Sequence, residues 1–384
     1  MRKLTRMMAG VVSVAAAAAL VAGTVTMASA ATNDPPKGVT PAAYDIVGVG
    51  SNTTQYVMDA FSVAYNKTLK THNVNNPKFY SYDAVPAGAN PAGTYSIKPK
   101  AGCKPITRPN GSTAGVNALD TTQAIKFKGG SYQCVDFARS SGGRKPANPA
   151  DKPGGIVFVA FAKDAITWAA RSAAKGGTNA PASLTTAQLK KIFSCSASAS
   201  NWSQVGGKAG KIKVYLPQAG SGTLSTWEKF MGITNLGACV SQAPEENEGT
   251  FAGFNNPNAI FIWSIGAYVA QKYHSAACGK APTKSQNAFG CNLTGFTVPE
   301  KIGGVNPLSS GKVPTINPKF PASYSRTVYN VVKYWTGTAD HLSPKDNHIF
   351  GPRSQKGYIC SNPAAQTTIK DYGFVPTGLC GSTS

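Results

Sequence analysis

Histidine is scarce in this chain, with four among 384 residues, too few to expect a His-based metal centre. Charged residues make up only 14%, against roughly 25% in an ordinary soluble domain. The deficit is acidic: Asp and Glu number 16, Lys and Arg 38, and the net charge is +22. No C-x-x-C pair occurs among the eight cysteines, which argues against a metal cluster. The nucleotide loop G-x-x-x-x-G-K-[ST] is missing: Gly207-Lys208-Ala209-Gly210-Lys211-Ile212 lacks its spacing and its hydroxyl. The nucleophile elbow G-x-S-x-G is missing around Ser221, which is flanked by Ala219 and Thr223. No spacing ties Ser221 to His274, His341 or His348. No catalytic residue, metal or cofactor is therefore expected. No basic run is interleaved with aromatics, so nucleic acid is not an expected partner.

What is present begins with an address. Arg2, Lys3 and Arg6 precede an apolar stretch from Val11 to Val21, and Ala28-Ser29-Ala30 forms an A-x-A cleavage site. This is the pattern of a secretory signal peptide over residues 1–30. The apolar stretch is shorter than the roughly 20 residues of a membrane span. No cysteine stands near the cleavage site to take a lipid. Residues 31–43 read as a flexible lead-in. The expected product is secreted, extracellular or associated with the cell envelope. Loss of those three cations lowers +22 to +19, a charge that favours anionic company. Eight cysteines after the signal predict four disulfides in an oxidising compartment. Sequential pairing is the expectation, because each bridge then closes one local loop. With 42% hydrophobic residues and a mean hydropathy of −0.17, the chain can bury a core. Its length suits two domains, or one large domain with insertions.

The pattern alternates strand and helix. Tyr44 to Val49 reads as a buried strand that runs into Gly48-Val49-Gly50-Ser51-Asn52-Thr53-Thr54. Val57, Phe61, Ala64 and Tyr65 then recur at helical spacing, with Ser51, Asn52 or Thr53 as N-cap. Asn110-Gly111-Ser112-Thr113-Ala114-Gly115 precedes a second helix. Ile156 to Ala162, Val214 to Leu216, Ala259 to Trp263 and Arg326 to Val332 read as strands. Leu184 to Phe193 is a capped amphipathic helix. Gly220-Ser221-Gly222-Thr223 opens another, with Leu224, Trp227, Phe230 and Met231 on one face. Asn362 and Pro363 start a last helix that Gly373 ends. Such alternation predicts an α/β fold with mixed, largely parallel sheets flanked by helices.

Three of these helix starts combine small hydroxyl residues with glycine. Unpaired N–H groups and a partial positive charge suit such starts to anions. Each could equally be a plain N-cap. Glu245, Glu246 and Glu248 form the one acidic cluster, which suits a solvated loop, a domain-closing hydrogen-bond contact or, less well, acid–base work.

In order and spacing these segments resemble the phosphate-binding proteins of ABC importers, a two-lobed periplasmic-binding fold of type 2. The stretch Gly48 to Thr54 is similar to that family's first ligand loop, and Asn110 to Gly115 to its second. Asp136-Phe137-Ala138-Arg139-Ser140-Ser141 resembles its ligand-bearing strand. Leu184 to Phe193 with Trp202 resembles a signature of the second lobe. Gln218-Ala219-Gly220-Ser221-Gly222-Thr223 resembles the G-S-G-T helix start, and Ser264-Ile265-Gly266-Ala267-Tyr268 the return segment. The resemblance implies lobe 1 over 44–150 and 265–384, lobe 2 over 151–264, and a ligand cleft between them. It implies hinge closure on inorganic phosphate or a similar oxyanion by Ser51, Asn52, Thr53, Thr54, Ser112, Arg139, Ser140, Ser141, Gly220, Ser221, Gly222 and Thr223, in a monomer serving an ABC permease. The family's usual Arg and Asp before that serine are replaced by Pro217 and Ala219, and its proton-accepting Asp by Ser141. Arg139, or less directly Arg144, is left to supply charge, and discrimination against sulfate should weaken. Two alternatives stay open: a secreted phosphatase or phosphoester-processing enzyme on the same scaffold, and an extracellular binding or adhesion protein without a transport role.

Overall fold

The computed structural model describes residues 35, 36, 38–277 and 290–384. The expected signal peptide lies outside these residues, as does Cys278. Strand β1 (Ile46–Gly50) is buried along its whole length, as a strand covered on both faces must be. Helix α1 (Gln55–Thr68) follows it and buries Val57, Met58, Phe61 and Tyr65. Strand β2 (Phe79–Ser81) pairs parallel with β1. Helix α2 (Ser112–Thr121) and strand β3 (Phe137–Ser140) complete the first wing, β3 lying parallel to β1 on its other side.

Strand β4 (Ile156–Arg171) then runs for 16 residues. The apolar pattern predicts a strand ending at Ala162, because Lys163 and Asp164 interrupt it. The strand instead continues to Arg171, since the buried Asp164 carboxylate meets an arginine on the neighbouring strand. The second wing holds α3 (Thr186–Phe193), β5 (Lys213–Tyr215), α4 (Gly222–Met231), β6 (Val240–Ser241), β7 (Ala259–Ser264) and α5 (Ile265–His274). The return comprises β8 (Thr297–Pro299), β9 (Ser325–Lys333), α6 (Pro363–Asp371) and β10 (Val375–Pro376).

These strands form one ten-stranded sheet in the order β6-β5-β7-β4-β9-β3-β1-β2, with β8 and β10 also paired to β4. Both wings are parallel, as strand–helix alternation predicts. The centre is antiparallel, because β4 and β9 pass between the wings without helical crossovers. Phe61, Phe79 and Phe137 pack on one face of the first wing, and Val49, Leu119 and Phe158 form a separate cluster there. Trp168, Trp202, Trp227 and Ile262 build the main core of the second wing, where Ile302, Ile316, Phe320 and Tyr324 from the return segment also pack. Disulfides join Cys103 to Cys134, Cys195 to Cys239, and Cys360 to Cys380. Each links neighbours in sequence, as expected.

Several carboxyl groups are held in places that favour their neutral form. Burial pushes Glu245 and Glu300 up to about 7 and Asp346 up to about 6. Between about pH 5 and 7 the folded chain therefore keeps protons that the unfolded chain has released, so stability falls as pH rises. His274, lowered by burial, acts in the opposite sense but is a single group. The melting temperature should be several degrees higher at pH 5.5 than at pH 7.5 by calorimetry. A flat or rising profile over that window would contradict this assignment.

Candidate functional site

Four helix N-termini follow the carboxyl ends of strands or the Gly111 turn and are brought to the middle of the sheet, the position where α/β folds place ligands. At the start of α1, Ser51 Oγ accepts from Thr53 N at 3.2 Å and donates to Ser141 Oγ at 3.1 Å. The cap position falls on Thr54, one residue later than expected, and its buried hydroxyl has no hydrogen-bond partner. At the start of α2, Ser112 Oγ accepts from Ser141 N at 3.1 Å. At the start of α4, Ser221 Oγ accepts from Leu224 N at 3.0 Å. That is capping work, and it leaves Ser221 without an imidazole partner. The wings touch here: Thr113 N donates to Gly220 O at 3.2 Å, and Asn110 Nδ2 to Glu245 Oε2 at 2.9 Å.

The donors converge on one atom, the Oε1 of Glu246. Thr53 Oγ1 donates to it at 2.7 Å, Ser141 Oγ at 3.2 Å and Thr223 N at 3.2 Å, and Thr223 Oγ1 donates as well. Glu246 is 1% exposed. Its other carboxylate oxygen, Oε2, is buried with no hydrogen-bond partner. The neighbouring backbone aims it: Asn247 sits at φ +55°, a left-handed conformation that Asn tolerates. Asn247 is pinned there by Nδ2 donating to Asn52 Oδ1 at 2.9 Å and to Thr53 Oγ1 at 3.0 Å, and by Gln271 Nε2 donating to its carbonyl at 2.9 Å. Asn52 in turn donates to the Glu246 carbonyl.

The positive charge comes from a residue that sequence reasoning did not single out. Arg326 on β9 is the direct cross-strand partner of Asp164 on β4. Its Nε and Nη2 donate to Asp164 Oδ2 at 2.9 and 2.8 Å, and Nη2 also donates to Thr223 Oγ1 at 2.9 Å. Its Nη1 is buried without a hydrogen-bond partner. Asp164 accepts in addition from Ser264 Oγ at 2.8 Å and Gly266 N at 3.0 Å, which ties the pair to the start of α5. Lys145 stands at the rim, donating to Thr113 Oγ1 at 3.2 Å; burial lowers its pKa from the ordinary lysine value.

Arg139, expected to bring charge to the cleft, braces the first loop. It donates from Nε to Ser51 O at 2.8 Å, from Nη2 to Gly50 O at 3.1 Å and from Nη1 to Ser81 Oγ at 2.6 Å. Arg144 donates to Ile156 O and Ser384 O and lies over the Phe158 ring. Ser140 Oγ donates to Gly142 O at 2.7 Å, closing a turn. Gly222 has a steric role: a Cβ there would fall 2.5 Å from Ser112 Oγ and closer still to Ser141 Oγ. The site thus brings together Thr53, Ser112, Ser141, Gly222 and Thr223, with Ser51, Asn52, Gly220 and Ser221 shaping the loops around them. Among the described residues no group of three His, Cys, Asp or Glu could hold a metal ion. Chemically this is a buried, donor-lined anion cradle.

A family model described as the PBP superfamily domain matches residues 35–324. The chain belongs to the PBP superfamily. A putative phosphate ABC transporter substrate-binding protein with bound phosphate, from Clostridium perfringens, shares the PBP fold at 17% identity and a TM-score of 0.53, over 87% of this chain and 99% of that one. An ABC-type phosphate transport receptor from Vibrio cholerae is similar at 19% identity and a TM-score of 0.49, over 87% and 100% of the two chains. A comparison with curated proteins gave no match. The mixed α/β sheet described above is the fold that this chain shares with the Clostridium perfringens protein. No helix among the described residues is long and apolar enough to cross a membrane.

Proposed function

We propose that this protein is a secreted solute-binding receptor that captures inorganic phosphate, or a closely similar oxyanion, by closure of two lobes, and delivers it to an ABC permease. One observation carries the reading: Thr53 and Ser141 from the first wing and Thr223 from the second donate to the same carboxylate oxygen. That arrangement is a charge-assisted anion site assembled from both halves of the sheet. Arg326 supports it with fixed positive charge, and the excess of cations over the chain favours approach of an anion. The lobes are taken as residues 44–150 with 265–384, and residues 151–264, hinged through the long central strands, with Ile265 and Val269 of α5 and Ile302, Ile316, Phe320 and Tyr324 of the return packed on the second lobe's core. The Clostridium perfringens protein, solved with phosphate, lends the choice of anion. The Ser221 hydroxyl acts as a helix cap, which favours binding over nucleophilic turnover.

Isothermal titration of the secreted chain with phosphate and with sulfate tests the reading. Phosphate should bind, and sulfate should follow within roughly tenfold, since by the resemblance Ser141 replaces the carboxylate that would accept phosphate's proton and repel sulfate. Thr223→Ala should weaken phosphate by roughly tenfold or more, because Thr223 Oγ1 joins the anion site to Arg326. No heat with either anion would end the proposal.

A further inference from the structure

We propose that Glu246 is a tethered internal ligand: its carboxylate occupies the anion cradle when no solute is bound, holds the lobes together, and must be displaced for phosphate to enter. The inference rests on the phosphate-binding reading for the identity of the displacing anion, but not for the contact itself. Four donors point at Oε1, from Thr53, Ser141 and both the amide and hydroxyl of Thr223. A carboxylate oxygen has two in-plane lone pairs, so that end is oversupplied. The other end is undersupplied: Oε2 is buried with no hydrogen-bond partner, and so is Arg326 Nη1. A planar two-oxygen group therefore fits this cradle poorly. A tetrahedral anion carries oxygens in four directions and can satisfy donors that Glu246 leaves idle.

The tether makes the poor fit effective. Glu246 hangs from a loop whose shape is set by Asn247 at φ +55° and by hydrogen bonds to Asn52, Gln218 and Gln271. A carboxylate confined this way competes at an effective concentration in the millimolar range or above. Apparent affinity for solute is then reduced by the fraction of molecules whose cradle is blocked. Glu246 thus sets the affinity threshold of the receptor. It also joins the start of α1 in one wing to the start of α4 in the other.

Two measurements on Glu246→Ala test this, with Glu246→Asp as a second variant that keeps the charge but shortens the reach. Inorganic phosphate should bind both variants more tightly than wild type, by roughly tenfold or more for Glu246→Ala. In solution scattering, ligand-free Glu246→Ala should have a larger radius of gyration than ligand-free wild type, and phosphate should restore the compact form. Unchanged or weaker phosphate binding in both variants would overturn the proposal; weaker binding with new acceptance of sulfate would make Glu246 the acceptor of the solute's proton instead. If no form binds phosphate, the function proposed above fails, and the scattering result alone decides: an unchanged radius removes the internal ligand, an increased one retains it.

Discussion

Replacing Arg326 with Gln should cost the protein both stability and phosphate affinity, and the two losses should separate in a double variant. Arg326 is 7% exposed and Asp164 fully buried. Removing the guanidinium strands a buried carboxylate that retains only Ser264 Oγ and Gly266 N as neutral donors. Breaking a buried pair this way typically costs about 3–5 kcal/mol. Phosphate affinity should fall by roughly 100-fold, because Thr223 Oγ1 loses its charged donor and the cradle its nearest cation. Arg326→Gln with Asp164→Asn removes the stranded charge and should recover most of the melting temperature. It should not recover affinity, as neither amide supplies positive charge. A double variant that binds phosphate like wild type would show that Arg326 serves the fold alone.

That pair also shows why part of the site was hidden in the sequence. Thr53, Ser112 and Thr223 were legible because helix starts announce themselves locally, as hydroxyls and glycines just before a periodic apolar run. Ser141, at the end of a strand, was legible only through the resemblance of Asp136 to Ser141 to a ligand-bearing strand. Arg326 and Asp164 lie 162 positions apart and meet only through the antiparallel ladder. Each looks like a blemish in a strand, and Asp164 is the residue that cut the reading of β4 short. Arg139 misled for a related reason. It sits beside Ser140 and Ser141, but its cross-strand partner is Gly50, so its guanidinium reaches the Gly50 and Ser51 carbonyls and fixes the loop that carries Thr53. Glu246 stood in a visible acidic cluster, yet its direction depends on a left-handed Asn247, which no periodicity announces. The wings were legible as parallel α/β units. The antiparallel centre was not, since strand–helix alternation is silent about strands that pass between wings.

Gly222→Ala should abolish closure while leaving each wing folded. Gly222 opens α4, where alanine costs nothing in backbone conformation and suits a helix better than glycine. The penalty lies across the cleft. An added Cβ meets Ser141 Oγ, Ser112 Oγ at 2.5 Å and the Gly142 amide nitrogen at 3.0 Å. The hydroxyls could rotate away, but only by giving up the bonds from Ser141 N to Ser112 Oγ and from Ser141 Oγ into the cradle. The Gly142 nitrogen is backbone and cannot rotate at all. Relief therefore requires the wings to part, which takes Thr223 out of reach of the anion that Thr53 and Ser141 hold. Phosphate affinity should fall by roughly 100-fold or more, the equivalent of about 3 kcal/mol. The upward shift in melting temperature that phosphate gives wild type should vanish. Gly378→Ala, where an added Cβ meets nothing within 4 Å, serves as the neutral comparison. Should Gly222→Ala bind phosphate normally, the solute would have to sit on one wing alone, and closure around it would not be the mechanism of capture.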